Sequence, residues 1–357
     1  MQSPAPTSSR PLPAPLDRSK PVWVAPMAGG PSTPRLVIAA ARAGHFAQLA
    51  AGYTSAEAMT REVREVRAAG TELFGVNLFV PNVHPITAEA NEVYARSLAP
   101  TAARLHHEAA PVALREDDDA WDAKIAALVA EPVPVVSFTF GLPSAAVLEA
   151  LRRAGSVLVQ TVTSSQEARR AEAAGVDAVL VQGFAAGGHS GVWDADASPA
   201  DVPLPQLVEE VAGAVSLPLV AAGGIASSRD VELALAAGAS AVTVGTAVLR
   251  TPESGASDLH KNALADPQYT STTHTRAFTG RPARALVNRF VLDHDKAAPS
   301  GYPALHHLTR PLRAAAVAAN DSSALNLWAG EQWRHATSAP VAEVLGALLS
   351  AGERMGP

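Results

Sequence analysis

The chain has 357 residues, with 28 basic and 34 acidic side chains, 11 histidines and no cysteine. A net charge of −6 leaves no broad cationic surface for a phosphate backbone, so nucleic acid is not an expected partner. Without thiols there are no disulfides, thiolate nucleophiles, cysteine-ligated iron–sulfur clusters or zinc–thiolate centres, and redox chemistry would have to come from a bound cofactor.

From the N-terminus, Met1 to Pro15 is rich in Pro and Ser and lacks the basic leader and apolar stretch of a secretory signal. Residues 1–20 are therefore read as a flexible tail, and the protein as cytoplasmic. Strands are expected near 22–25, 46–51, 74–79, 133–139, 156–161, 178–182, 217–222 and 241–245, separated by helical segments or longer insertions. Ala-Gly recurs at 43–44, 154–155, 174–175 and 237–238, each time closing an alanine-rich helical stretch and opening an apolar strand. Strands such as Ala178-Val179-Leu180-Val181 are apolar throughout, as strands covered on both faces must be, which favours parallel pairing. Eight such strands close an α/β TIM (β/α)8 barrel, placed at residues 21–250. None of the apolar runs is long enough to span a bilayer, so no membrane partner is expected.

Two segments interrupt the repeat. The insertion at about 81–132 carries Glu116-Asp117-Asp118-Asp119, read as a solvated helix start. After Leu249 the repeat stops, and residues 251–357 are read as a mainly helical C-terminal extension, with helices within 305–320 and 340–350, covering the barrel mouth.

Chemistry in such barrels sits at the carboxyl ends of the strands. Asn77 interrupts an apolar strand there and could hydrogen-bond the edge of a flavin ring; Gln160 and Gln182 hold like positions, and Gln182 is preferred because a glycine loop follows it. Gly223-Gly224 and Gly245-Thr246 end the last two strands, where backbone N–H groups and the positive end of the next helix can hold a phosphate. A flavin nucleotide, another nucleotide or a sugar phosphate all satisfy that cradle. His189 lies in a loop with glycines at 187, 188 and 191, so a ligand can approach while the imidazole projects over it. There is no Gly-x-Ser-x-Gly elbow, Walker loop or Gly-x-Gly-x-x-Gly fingerprint. His106 and His107, adjacent on a helix, point about 100° apart, and no metal site is expected.

At these residues the chain resembles the nitronate monooxygenase family, formerly 2-nitropropane dioxygenases, and its class I members in particular. The resemblance rests on Ala25-Pro26-Met27-Ala28-Gly29-Gly30, Gly75-Val76-Asn77-Leu78-Phe79, the 182–191 loop, 221–225, Val244-Gly245-Thr246, the stretch from Phe278 to Arg284, and Asn326-Leu327-Trp328-Ala329-Gly330. It implies one non-covalent FMN and oxidation of alkyl nitronates by O2 to a carbonyl compound and nitrite, a detoxification with propionate 3-nitronate as the substrate. It further implies that Ala25, Pro26, Met27, Asn77, Gln182, Gly187, Gly188, Gly223, Gly224, Thr243, Val244, Gly245 and Thr246 contact FMN, and that His189 is the active-site histidine, binding the nitronate oxygens or removing an α-proton. A monomer or homodimer is expected. The chain departs from the family pattern at Gly44-His45-Phe46-Ala47-Gln48, read as altered packing, at Thr243-Val244, and at Glu331-Gln332-Trp333. Arg281, Arg284, Arg310 and Arg313 are candidate cations for a substrate carboxylate. Two alternatives remain open: an FMN-dependent enoyl-thioester reductase consuming NADH or NADPH, and a catalytically idle flavin-binding protein.

Overall fold

The computed structural model describes residues 9–81, 85–107 and 113–350. Its strands are β1 (Lys20–Val24), β2 (His45–Ala50), β3 (Gly75–Phe79), β4 (Val135–Thr139), β5 (Val157–Val162), β6 (Ala178–Gln182), β7 (Gly188–His189), β8 (Leu219–Ala222), β9 (Ala241–Val244), β10 (Thr272–Thr275) and β11 (Ala283–Leu286). β1 to β6, β8 and β9 pair in parallel, and β9 closes on β1 with Val22 opposite Val242 and Val24 opposite Val244. The result is a closed eight-stranded (β/α)8 barrel.

Two-residue alternation along each strand sorts the core into an outer and an inner layer. Val22, Leu49, Val76, Val136, Leu158, Val179 and Val242 face the surrounding helices. Trp23, Phe46, Val135, Val159, Leu180 and Val220 fill the inside. Glycines 44, 155, 175 and 238 all take left-handed φ values, from +80° to +110°. A side chain would be strained in that conformation, so the Ala-Gly pairs are stop signals that turn each helix toward the following strand.

The inside is apolar at the floor and polar near the carboxyl ends. Residues 9–19, expected to be part of a flexible tail, close the floor instead. Leu16 is completely buried against Trp23 and Phe46, and Arg10 donates to the carbonyls of Leu217 and Ala212, both at 3.1 Å. An open barrel end leaves apolar surface to cover, and Leu16 with the partly buried Leu12 covers it; residues 1–8 lie outside the described residues. The unusual His45 is packing, as expected: its Nδ1 lies 2.7 Å from the Val22 carbonyl, while Phe46 meets Trp23 edge-on at 4.8 Å.

Above the barrel, helices of the 81–132 insertion (Ala88–Ser97, Ala99–Arg104) share an apolar cluster with the chain beyond Leu249, joining Tyr94, Leu98 and Leu105 to Phe278, Phe290, Leu305 and Leu312. That later stretch contains a helix at Ala304–Ala318 and the β10–β11 hairpin that a mainly helical reading missed, whereas its last helix, Val341–Leu349, packs on the barrel wall instead of the mouth, with Val341, Leu345 and Leu348 in the outer core layer. The hairpin pairs antiparallel with β7, placing Ala283 opposite His189 and Arg284 opposite Gly188. The acidic run is likewise more than a solvated helix start. Asp119 pairs with the buried Lys124 at 2.7 Å and accepts the Tyr53 N–H at 3.0 Å, and Asp117 lies 3.0 Å from His307 on the helix Ala304–Ala318.

Candidate active site

A cavity of about 520 Å³ opens at the carboxyl ends of the barrel strands, within the range of small-molecule and cofactor sites. The loop after β1 brings Ala25, Pro26 and Met27 to it, β3 brings Asn77, and β6 brings Gln182. The histidine loop adds Gly187, Gly188 and His189; Gly223 and Gly224 follow β8, and Thr243, Val244, Gly245 and Thr246 end β9. All the expected site residues therefore line one space. Gln160 does not: its amide donates to the carbonyls of Gly141 and Thr161 at 2.9 and 3.0 Å, which makes it a structural residue.

Asn77 is held by its donors, with Nδ2 reaching Ser137 Oγ at 2.9 Å and Thr139 Oγ1 at 3.1 Å. Ser137 in turn donates to Gln48 Oε1 at 2.7 Å. Both Asn77 hydrogens are used, so its Oδ1 remains the acceptor for a ligand N–H. Gln182 is a clamp on the next loop. Its Nε2 donates to the His189 carbonyl at 3.1 Å and its Oε1 accepts the Gly191 N–H at 2.6 Å, gripping the chain on both sides of Ser190. The β7–β11 pairing fixes the same loop from the opposite side, so the imidazole is held by backbone and side chain together.

Glycine is required where the loops approach closely. A Cβ on Gly187 would lie 2.4 Å from the Gly330 nitrogen, and one on Gly224 would lie 2.8 Å from the Ala185 Cβ. Gly187→Ala therefore forces the histidine loop off the 329–330 backbone, with an expected loss of about 2–3 kcal/mol of stability, measurable as a lowered midpoint in urea; an unchanged midpoint would mean the contact yields freely.

Two expectations about the phosphate cradle change. The helix Ser228–Ala236 begins in a capping box that sets a carboxylate at its positive end: Asp230 accepts the N–H groups of Ala226 and Ser227 at 3.1 and 2.9 Å, and Ser227 Oγ accepts the Asp230 N–H at 3.2 Å. That negative charge offsets the helix dipole, so a phosphate there would be held chiefly by the glycine loops. At the second departure from the family pattern, Thr243 Oγ1 is buried without a hydrogen-bond partner among the described residues, while Thr246 Oγ1 accepts the Gly330 N–H at 3.0 Å. The third departure has a local explanation: Glu331 pairs with Arg284 at 3.0 Å, and its N–H donates to the Ala185 carbonyl at 3.1 Å, which straps this segment onto the histidine loop.

His189 Nε2 lies 2.9 Å from Thr279 Oγ1, and its ring is walled by Phe140, Tyr302 and Trp328 at centroid distances of 5.6, 6.0 and 5.3 Å. Burial pushes its pKa down to about 3, with Arg281 and Arg313 adding to the effect, so the ring is neutral at physiological pH. The Thr279 hydroxyl has two orientations open to it. Donating to Nε2 leaves a proton on His189 Nδ1; donating to the Arg281 carbonyl at 3.4 Å leaves a lone pair there. The ring can thus offer the cavity either a donor or an acceptor.

Of the four arginines, only Arg310 and Arg313 line the cavity. Arg281 lies over the Phe140 ring at 4.1 Å and donates to the Val192 carbonyl; Arg284 donates to Phe184 and pairs with Glu331. Sequence reasoning missed Tyr53, Thr279, His306 and Trp328, all of them cavity residues. The signal that could have found His306 is helical spacing, since residues 306, 310 and 313 fall on one face of a helix. Among the described residues that line the cavity there is no aspartate or glutamate.

Comparison with known proteins agrees with this geometry. The sequence matches the nitronate monooxygenase family over residues 14–351. It is 34% identical over 333 residues to a probable nitronate monooxygenase of Staphylococcus aureus, covering 92% of this chain and 93% of that protein. Among solved structures it is similar to a nitroalkane oxidase from Streptomyces ansochromogenes, with a TM-score of 0.87, 46% identity, and coverage of 94% of this chain and 96% of that one. FabK from Thermotoga maritima shares the fold at a TM-score of 0.73 and 25% identity, covering 95% and 94% of the two chains. No helix among the described residues is long and apolar enough to cross a membrane. With its barrel, its histidine loop and a match spanning nearly its whole length, the chain belongs to the nitronate monooxygenase family, a family of oxidoreductases.

Proposed function

We propose that this chain binds FMN and oxidises alkyl nitronates with O2 to a carbonyl compound and nitrite, with propionate 3-nitronate as the substrate. The observation that carries this reading is a cavity with a neutral imidazole and two arginines but no carboxylate among its described lining residues. Such a lining favours anions, and both a flavin phosphate and a nitronate are anionic.

The residues fit the cofactor in three respects. The unpartnered Thr243 hydroxyl, the free Asn77 Oδ1 and the glycine loops at 223–224 and 245 supply a donor, an acceptor and room for close backbone approach. When bound, FMN supplies electron acceptance and the reaction with O2, which no side chain of this chain can provide.

The protein's part is to bind, orient and exclude water. His189 with its Nδ1 proton inward donates to a nitronate oxygen; with the Thr279 hydroxyl turned to Arg281, its lone pair can take the α-proton of a neutral nitroalkane. Phe140, Tyr302 and Trp328 close the space around that transfer. Arg310 remains as the cation for a substrate carboxylate; Arg313 lines the cavity but is hydrogen-bonded to His306 and Asn326, and Arg281 and Arg284 are engaged elsewhere.

The test is direct. The purified protein should be yellow, and propionate 3-nitronate in air should yield nitrite with uptake of O2, while NADH alone should leave the flavin oxidised. Rapid flavin reduction by NADH or NADPH with no nitrite would assign the enoyl-thioester reductase reading. Bound flavin with no turnover of either substrate would assign the idle flavin protein.

A further inference from the structure

The helix Ala304–Ala318 brings a second imidazole to the cavity, and its chemistry is fixed where that of His189 is not. The His306 ring lies flat on Tyr53, with centroids 4.0 Å apart and planes 1° from parallel, so the stack sets the direction of its edge. Its Nδ1 faces Arg313 Nη2 at 3.3 Å, and the same nitrogen donates to the His306 carbonyl at 3.0 Å. A guanidinium has five donors and no acceptor, so Nδ1 must present its lone pair. The proton of a neutral ring is then on Nε2, which has no hydrogen-bond partner among the described residues. Charging the ring would set two donors against each other. Burial, followed by Arg313, pushes its pKa down to about 2.

We propose that the His306 Nε2–H is a second hydrogen-bond donor to the nitro or nitronate oxygens, and that Arg313 is the positioning residue that fixes its tautomer. The donor role rests on the nitronate reading of the site; the tautomer does not. The two imidazoles complement each other. When Thr279 leaves His189 with a lone pair for a substrate C–H, the oxygens of that substrate need a donor elsewhere, and only a ring that cannot switch supplies it in every state.

The test uses the holoenzyme labelled with 15N-histidine. Long-range proton–nitrogen correlations report which imidazole nitrogen is protonated, and the His306 signals are those that vanish in His306→Phe, a variant that preserves the stack on Tyr53. The expected wild-type pattern at neutral pH is a protonated Nε2 with an unprotonated Nδ1, passing to a mixture of tautomers in Arg313→Met. In kinetics, His306→Phe should raise KM for an alkyl nitronate about 10- to 100-fold, the worth of one hydrogen bond to a charged group, with a much smaller change in kcat. His306→Gln, which restores an N–H near the same place, should recover most of that loss.

A protonated Nδ1 in the wild type, or an unshifted pattern in Arg313→Met, overturns the positioning role. An unchanged KM in His306→Phe overturns the donor role. If the wild-type enzyme never forms nitrite, the nitronate reading falls and the donor role falls with it, while the tautomer pattern still decides the part played by Arg313.

Discussion

Replacing His189 with alanine is expected to lower kcat/KM for alkyl nitronates by about 100- to 10,000-fold, the range of a lost acid–base or anion-orienting group, while the visible spectrum of bound flavin persists. The pH profile distinguishes this site from an ordinary histidine site. An exposed imidazole gains charge below pH 6.5, whereas His189 stays neutral until about pH 3. Its contribution to kcat/KM should therefore be level between roughly pH 7 and pH 5. A titration near 6.5 in the wild type that disappears in His189→Ala would show the ring to be solvated and would remove the basis of the proposed chemistry. The alanine variant should lose neutral nitroalkanes more completely than nitronates, since only the former need the ring as a base.

The second large effect is acid lability. His189, His260 and His306 are pushed down to about 3, about 4 and about 2, in each case chiefly by burial. In the unfolded chain each titrates near 6.5. Above that value both states carry neutral rings and the native state keeps its full stability. As pH falls below it, the unfolded chain takes up protons that the folded chain cannot accept, so stability drops until the folded pKa values are reached. Each ring then removes up to about 1.4 kcal/mol per pH unit, and the three together remove about 6 kcal/mol by roughly pH 5. That is comparable with the whole stability of many domains, about 5–15 kcal/mol. Thermal unfolding followed by circular dichroism should show Tm falling steeply over this interval, and less steeply in His306→Phe. A flat Tm from neutral pH to pH 5 would contradict the burial of these rings.

The barrel was legible because its strands are apolar runs, and four of them are marked a second time by the glycines that end the preceding helices. Both signals are local. Val135, Leu158 and Val179 are enclosed on both faces and need no distant partner to be recognised as strands. The glycine cradle and His189 were legible for a related reason, since each sits directly after a strand whose end is easily seen. What stayed hidden depends on chain segments brought together from far apart. The two residues of β7 form a strand only because Ala283 and Arg284 arrive beside them, and Thr272-Thr273-His274-Thr275 is too short and too polar to stand out. Tyr53 reaches the cavity in a left-handed conformation, φ +67°, its N–H held by Asp119 from an insertion 66 residues later. His306 could be noticed as part of a helix face, but its tautomer follows from a guanidinium seven residues further on. The Asp230 cap went unread because a carboxylate in the first turn looks like simple dipole compensation, whereas here it also accepts the N–H groups of Ala226 and Ser227.

The pairing of β7 with β11 bears on how the protein matures during synthesis. Domains commonly fold as they emerge from the ribosome, and the last barrel strand ends at Val244. The partner that gives His189 its place, Ala283–Leu286, follows only after some forty more residues, and the strap at Gly330 and Glu331 later still. A nascent chain halted between those points would have all eight barrel strands but a slack histidine loop, and it would still lack the wall helix Val341–Leu349, so the ability to consume substrate should arise late and abruptly in the life of each polypeptide.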